Sequence, residues 1–348
     1  MSVDRTIAWL EAPDRTAIEE AATRLRGVLL ETPLLENERL NQKLGGRVLV
    51  KAECLQRTGS FKARGAWNWL SSLSDPKNIP GIFALSSGNH GQAVAWAAQR
   101  LNISPVVILI PENAPRAKRE RIRAWGADIV TYDRNTVDRE ALIASWVDGP
   151  GYVQVPAFDD RRIMAAAGTI ALEALIQAEN LQARPRMMLV PCSGGGLAGG
   201  CAVALAGTDV SLWAVEPQGY DDMARSLAAG QRVGNQGSAT TICDALLSLV
   251  PGELGFAVNH AHGTRTAVVS DAAVRQAMDW LAEYFGLIVE PGGAVSLAAL
   301  LANRRLLDGG TAIVVASGAN VDRDLLLNVL REHCQPEEQF RMTGAGSE

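Results

Sequence analysis

Strand–helix alternation along most of the 348 residues predicts an α/β fold, with open, mostly parallel sheets and helices on both faces. Two observations carry this. Short apolar runs recur with Gly, Pro, Asp or Ser at their borders, and they are too short to be buried helices. Longer amphipathic segments with helical periodicity lie between them. In chain order, the first strand is expected at 48–50, in Val48-Leu49-Val50. The run 82–85 sits between Gly81 and Ser86, and the helical segment 92–101 follows it. The run 106–110 is bracketed by Pro105 and Pro111 and leads to a helix at 117–125. A short strand at 129–130 precedes a helix at 139–147, and a longer helix is expected at 163–179. The run 187–190 stops at Pro191 and is followed by a helix at 197–205. Strands at 212–215 and 268–269 come next, then helices at 271–284 and 295–304 and a last strand at 313–316, ending at Ser317.

Composition excludes several function classes. The net charge of −5 and pI near 5.6 argue against a nucleic-acid binder, which would show a basic face. No uncharged apolar stretch approaches the roughly 18 residues of a membrane span. The N-terminus carries Asp4, Arg5, Glu11, Asp14 and Arg15 and lacks the apolar run of a signal peptide. Five cysteines are scattered with no C-x-x-C pair, as expected of reduced thiols in the cytoplasm.

Four stretches carry the chemistry. Lys62 lies in Gly59-Ser60-Phe61-Lys62-Ala63-Arg64-Gly65, where apolar neighbours suit an amine kept neutral and nucleophilic near pH 7. Ser86-Ser87-Gly88-Asn89-His90-Gly91 opens a helix after a strand, a place that suits a carboxylate. Ser193-Gly194-Gly195-Gly196-Leu197 follows the strand 187–190, and its unhindered backbone N–H groups suit a phosphate. Ser317-Gly318-Ala319-Asn320 closes the last strand. The glycine loop also generates a rival. Gly194, Gly196 and Gly199 spell G-x-G-x-x-G, with Glu216 spaced like a ribose-binding acid, as in dinucleotide-dependent oxidoreductases. That reading leaves Lys62, Asn89 and Ser317 unexplained.

Together the four stretches resemble the serine/threonine dehydratase family of pyridoxal phosphate (PLP) enzymes, over about residues 20–330. The resemblance implies two sheets, with a small domain (81–150) inserted in a large one (1–80 plus 151–348) and closing over the substrate. It implies that Lys62, next to Phe61, holds PLP as a Schiff base and acts as general base. Residues 193–197 would bind the phosphate, Asn89 the phenolic oxygen and Ser317 the ring nitrogen, with Glu290 in Glu290-Pro291-Gly292-Gly293-Ala294 also at the cofactor. Ser86, Ser87, Gly88, Asn89 and His90 would take the substrate carboxylate. His90 itself reads first as a structural hydrogen-bonder. Glu216, the Tyr220 carbonyl and Asp222 resemble the site for Mg²⁺ or Ca²⁺ found in relatives. Pro156-Ala157-Phe158-Asp159-Asp160 matches a segment that often begins with histidine.

The activity implied is a lyase that eliminates water from a small β-hydroxy amino acid, threonine or serine, in a cytoplasmic homodimer. A serine racemase is the nearest alternative, with Ser87 as its second acid/base. A threo-3-hydroxyaspartate ammonia-lyase is another and would need a cation for the extra carboxylate, with Arg64, Arg161 and Arg162 as candidates. A PLP-binding protein without turnover is the third. The chain is also expected to lack the C-terminal regulatory domain of the biosynthetic threonine dehydratases.

Overall fold

A computed structural model describes residues 12–75, 78–86, 88–112, 114, 116–133, 136–235 and 239–333. In chain order the strands are β1 (Leu34–Glu36), β2 (Arg47–Lys51), β3 (Ile82–Leu85), β4 (Val106–Pro111), β5 (Asp128–Tyr132), β6 (Val153–Gln154), β7 (Met187–Pro191), β8 (Ser211–Pro217), β9 (Arg265–Val269) and β10 (Thr311–Val315). The α-helices are α1 (Arg15–Leu25), α2 (Glu38–Leu44), α3 (Lys62–Ser71), α4 (Asn89–Leu101), α5 (Arg116–Ala124), α6 (Arg139–Asp148), α7 (Arg161–Asn180), α8 (Gly196–Leu205), α9 (Asp222–Ala229), α10 (Glu253–Ala261), α11 (Asp271–Phe285), α12 (Pro291–Ala302) and α13 (Arg323–His333).

Two sheets form, as the alternation requires. The larger has six strands in the order β1-β2-β10-β7-β8-β9, and the smaller has four in the order β5-β4-β3-β6. Among the described residues every strand pairing is parallel except that of β1 with β2. The central strands of the large sheet, β2, β10 and β7, are apolar on both faces, as strands covered twice must be. Leu49, Met188, Val190, Ile313 and Val315 pack with α1, α7 and α8. Their neighbours Val48, Val50, Leu189, Ala312 and Val314 pack with α11 and α12. The small sheet divides likewise: Ile82, Ala84 and Ile108 meet α4, whereas Phe83, Val107 and Leu109 meet Tyr132 and the α6 side chains. The expected strands are all present: 82–85 is unchanged, six others gain one to three residues, and the last shifts from 313–316 to Thr311–Val315. The three-residue β1 and two-residue β6 were not expected, because runs so short carry no usable period.

This topology places the site. β3, β7 and β10 run parallel within their sheets, and their carboxyl ends lead to Ser86, to the loop at 193–195 and to the loop at 317–320. Open α/β sheets bind ligands at those ends.

Candidate active site

Backbone pairing stitches the Lys62 loop to the end of β10. Cys54 N–H donates to the Ala316 carbonyl at 2.8 Å, Phe61 N–H to Ser317 at 3.0 Å and Ala319 N–H to Gly59 at 2.7 Å. Lys62 is therefore held near Ser317, itself buried. Among the described residues the Lys62 ammonium meets no carboxylate. It donates to the Ala157 carbonyl at 2.6 Å and lies 5.2 Å from the Phe61 ring centroid. Desolvation lowers its pKa to about 8.

Beside it, burial and then the Lys62 charge push the His90 pKa down to about 3. His90 Nε2 lies 3.1 Å from the Val155 carbonyl. A carbonyl only accepts, so Nε2 carries the proton and the ring is neutral. The His90 side chain thus makes a structural hydrogen bond to the Val155 carbonyl. The Ser86 hydroxyl accepts from the Gly88 N–H at 3.2 Å at the head of α4. Ser87 lies outside the described residues.

The glycine loop is shaped by what packs behind it. Gly195 has φ +92°, and a Cβ there would lie 2.5 Å from Met223 Cε. A Cβ on Gly196 would lie 2.7 Å from the Phe158 carbonyl, and one on Gly194 would strike the Phe158 ring. Asn259, buried on α10, donates to the Gly195 carbonyl at 3.1 Å. Asp159 accepts from Glu253 N–H at 2.8 Å and Gly255 N–H at 2.9 Å, and Gly252 N–H reaches the Gly194 carbonyl at 3.0 Å. Asp159 and Asn259 thus brace the loop. Asn259 lies in no motif, and only the folded chain reveals it. Ser193 Oγ accepts from the Ser248 N–H at 3.2 Å, and its own proton is free to donate. Leu197 is buried in the first turn of α8.

Helix capping sets the helices of the site apart from several others. Side chains cap α1, α2, α6, α7 and α11 through Asp14, Asn37, Asp138, Asp160 and Ser270. No side-chain cap serves α3, α4, α8 or α12, the helices that open on Lys62, Asn89, Gly196 and the Glu290 stretch. Among the described residues the first-turn N–H groups of α4 and α8 remain available to anions, whereas in α3 the Ala63 and Arg64 N–H groups already donate to the Ser60 and Phe61 carbonyls at 3.3 and 2.9 Å, and α12 begins on Pro291, which has no N–H. Asn89 Nδ2 donates to Glu290 Oε1 at 2.5 Å, and Asn320 Nδ2 donates to Asn89 Oδ1 at 2.6 Å.

The proposed cation ligands form a buried acidic pair. Glu216 accepts from Met223 N–H at 3.0 Å and Ala224 N–H at 2.8 Å, which caps α9. Burial raises its pKa to about 8. Asp222 takes the Asn235 amide at 2.7 Å, its Oδ2 is buried without a partner among the described residues, and burial raises its pKa to about 6. The Tyr220 N–H donates to the Pro217 carbonyl at 3.1 Å. Among the described residues no cluster of three or more His, Cys, Asp or Glu is arranged for a metal. A fully buried, backbone-bound Glu216 is also unable to meet a ribose, which removes the acidic partner of the dinucleotide reading.

The three arginines considered for a second substrate carboxylate are already paired. Arg64 is fully buried against Glu53 and Glu173, Arg162 pairs with Asp160 at 3.1 Å over the Trp69 ring, and Arg161 lies 3.6 Å from Asp14.

Comparison with known proteins gives the family. A family model described as pyridoxal-phosphate dependent enzyme matches residues 25–318. The L-threo-3-hydroxyaspartate ammonia-lyase of Saccharomyces cerevisiae is 35% identical over 305 residues, covering 87% of this chain and 92% of the yeast protein. Maize serine racemase superposes with a TM-score of 0.84 at 33% identity, covering 92% of this chain and 98% of its own. A threonine deaminase from T.th. superposes at 0.83 and 37% identity, covering 89% of this chain and 99% of its own.

Proposed function

The chain belongs to the pyridoxal-phosphate dependent enzymes, and from that premise we propose an ammonia-lyase that eliminates water from L-threonine or L-serine. The products are a 2-oxo acid and ammonia. The observation that carries this reading is the desolvated Lys62 amine, hydrogen-bonded to a carbonyl rather than a carboxylate, set among uncapped helix starts.

The residues present fit the cofactor. The N–H groups opening α8, with the Ser193 hydroxyl, would take its phosphate, as an anion at an uncapped helix start requires. Lys62 would hold it covalently, Asn89 would donate to its ring oxygen, and Ser317 would face its ring nitrogen, with Phe61 and Glu290 alongside. Bound there, pyridoxal phosphate supplies the electron sink that makes the substrate Cα–H acidic. Lys62, whose pKa of about 8 leaves a neutral fraction of its amine, would take that proton from Cα as general base. The head of α4, from Ser86 to His90, orients the substrate carboxylate, which fixes the Cα–H direction. Residues 81–150, as a small domain, would close over the cleft and exclude water. The same reading includes a cytoplasmic homodimer. Among the described residues no helix is long and apolar enough to cross a membrane.

The commitments of Arg64, Arg161 and Arg162 favour an uncharged side chain over hydroxyaspartate. Assay of 2-oxo acid release from L-threonine, L-serine, D-serine and threo-3-hydroxyaspartate tests the proposal. Turnover of L-threonine or L-serine supports it. Turnover confined to threo-3-hydroxyaspartate, or D-serine as the main product from L-serine, replaces it with the other lyase or a racemase.

Glu216, the Tyr220 carbonyl and Asp222 are proposed to hold Mg²⁺ or Ca²⁺, for which the unpartnered Asp222 Oδ2 is a ready ligand. Both carboxyl pKa values lie above their unfolded values of 4.5 and 3.8, so the folded state binds more protons. Their contribution to stability therefore falls as pH rises from about 4 to about 8. A cation relieves that cost where both are ionised. Millimolar Mg²⁺ or Ca²⁺ is expected to raise Tm by roughly 3–5 °C at pH 8 and by less at pH 5.5. Thermal melts with and without chelator measure this, and equal Tm values at pH 8 would remove the cation from the site.

A further inference from the structure

We infer that Asn320, anchored by Arg121, is a positioning residue that dictates which end of the Asn89 amide is offered to the cofactor. The inference rests on the reading of Asn89 as a cofactor ligand. Arg121 Nη1 on α5 donates to Asn320 Oδ1 at 3.2 Å. Asn320 Nδ2 donates to the Thr58 carbonyl at 2.9 Å and to Asn89 Oδ1 at 2.6 Å. Asn89 Nδ2 donates to Glu290 Oε1. A guanidinium has only donors and a carbonyl only accepts, so both neighbours of Asn320 impose the same amide orientation. Asn320 must turn its oxygen to Arg121 and its nitrogen to Thr58. Asn89 inherits this direction. Its oxygen is consumed by Asn320, and its NH₂ faces Glu290 with one N–H to spare. Asn89 is itself partly exposed, so that N–H is open to an acceptor.

The relay is tightly packed. Gly59 has φ +72°, and a Cβ there would lie 3.0 Å from Asn320 Oδ1. It also joins the two sheets. Arg121 and Asn89 stand on helices packed with the small sheet, whereas Asn320, Thr58 and Glu290 lie beside the large one. A donor at Asn89 suits an ionised ring oxygen, and an acceptor would repel it.

Asn320→Asp keeps the size of residue 320 and strengthens its link to Arg121. It puts an oxygen where Nδ2 met Asn89 Oδ1, so the Asn89 amide turns over and offers its oxygen instead. The experiment titrates pyridoxal phosphate into the full-length, cofactor-stripped chain and follows the visible band of the bound cofactor against pH. Asn320→Asp is expected to weaken cofactor binding about tenfold or more and to raise the midpoint of the pH titration, because the ring oxygen loses a donor. Arg121→Met removes one of two anchors and is expected to weaken binding about threefold, with Arg121→Lys restoring it. A merely structural role would lower Tm and leave the midpoint in place. An unchanged midpoint and affinity in Asn320→Asp overturn the inference alone. If that variant does not fold, unchanged values in Arg121→Met do the same. A wild-type chain that binds no pyridoxal phosphate overturns the inference together with the proposed function.

Discussion

Lys62→Ala is expected to abolish covalent cofactor attachment and to cut 2-oxo acid release by about 10³-fold or more, the loss of both a nucleophile and a base. Attachment is read by borohydride reduction and mass spectrometry, and turnover by the substrate assay. Three features make the expectation sharp. The amine's hydrogen-bond partner is a carbonyl, so no carboxylate holds it charged. Its pKa of about 8 leaves a useful neutral fraction near physiological pH. His90 beside it is neutral and tied to Val155, so it is a poor substitute base. The stability side runs the other way. The folded pKa of Lys62 lies below the ordinary 10.5, so the unfolded chain binds more protons between the two values. Stability from this group rises as pH climbs from about 8 to above 10, and below pH 8 the buried ammonium is a cost. Removing it should therefore leave Tm of the cofactor-free protein at pH 7 unchanged or higher. A variant that keeps turnover within tenfold of wild type would sink the assignment of Lys62.

Much of this arrangement was legible because strand ends and helix starts leave marks in sequence. Apolar runs bracketed by Pro105 and Pro111, or ending at Pro191 and Ser317, gave their strands directly. The loops that follow β3, β7 and β10 could then be placed at the carboxyl ends of parallel strands. What stayed hidden depends on distance along the chain. Asn259 bonds Gly195 from 64 residues away, and Arg121 meets Asn320 from 199 residues away. No local pattern encodes such pairs. Glu216 shows the opposite failure. Its spacing from the glycine loop imitates a ribose-binding acid, yet burial and two backbone N–H groups give it a different task.

Arg64→Leu is expected to destabilise the fold by about 3–5 kcal/mol while leaving substrate preference unchanged, because it strips the partner from a buried carboxylate. Arg64 follows Lys62 by two residues in α3, which rotates it by about 200° around the helix, away from the amine. It faces inward, fully buried. Its guanidinium forks onto both oxygens of Glu53, at 2.8 Å each, and onto Glu173 at 2.6 and 2.7 Å. Lys51 completes the cluster, reaching Glu173 at 2.8 Å and the Thr32 carbonyl at 2.6 Å. Two buried cations thus balance the buried Glu53 and the half-buried Glu173. Burial alone would raise the Glu53 pKa, but the adjacent Arg64 outweighs it and holds the carboxyl below its ordinary 4.5. Without Arg64 that balance reverses. Glu53 becomes a carboxylate that protonates more readily folded than unfolded, so the variant should lose its deficit progressively as pH falls. Two further variants apportion the effect. Arg64→Lys keeps the charge but not the fork and should recover only part of the loss. Pairing Arg64→Leu with Glu53→Gln should cost less than the sum of the single changes, since they share one interaction. Urea melts at pH 5 and pH 8 give the stabilities, and the ratio of kcat/KM for L-threonine and threo-3-hydroxyaspartate gives the preference. A shift in that ratio with stability intact would make Arg64 a substrate cation after all.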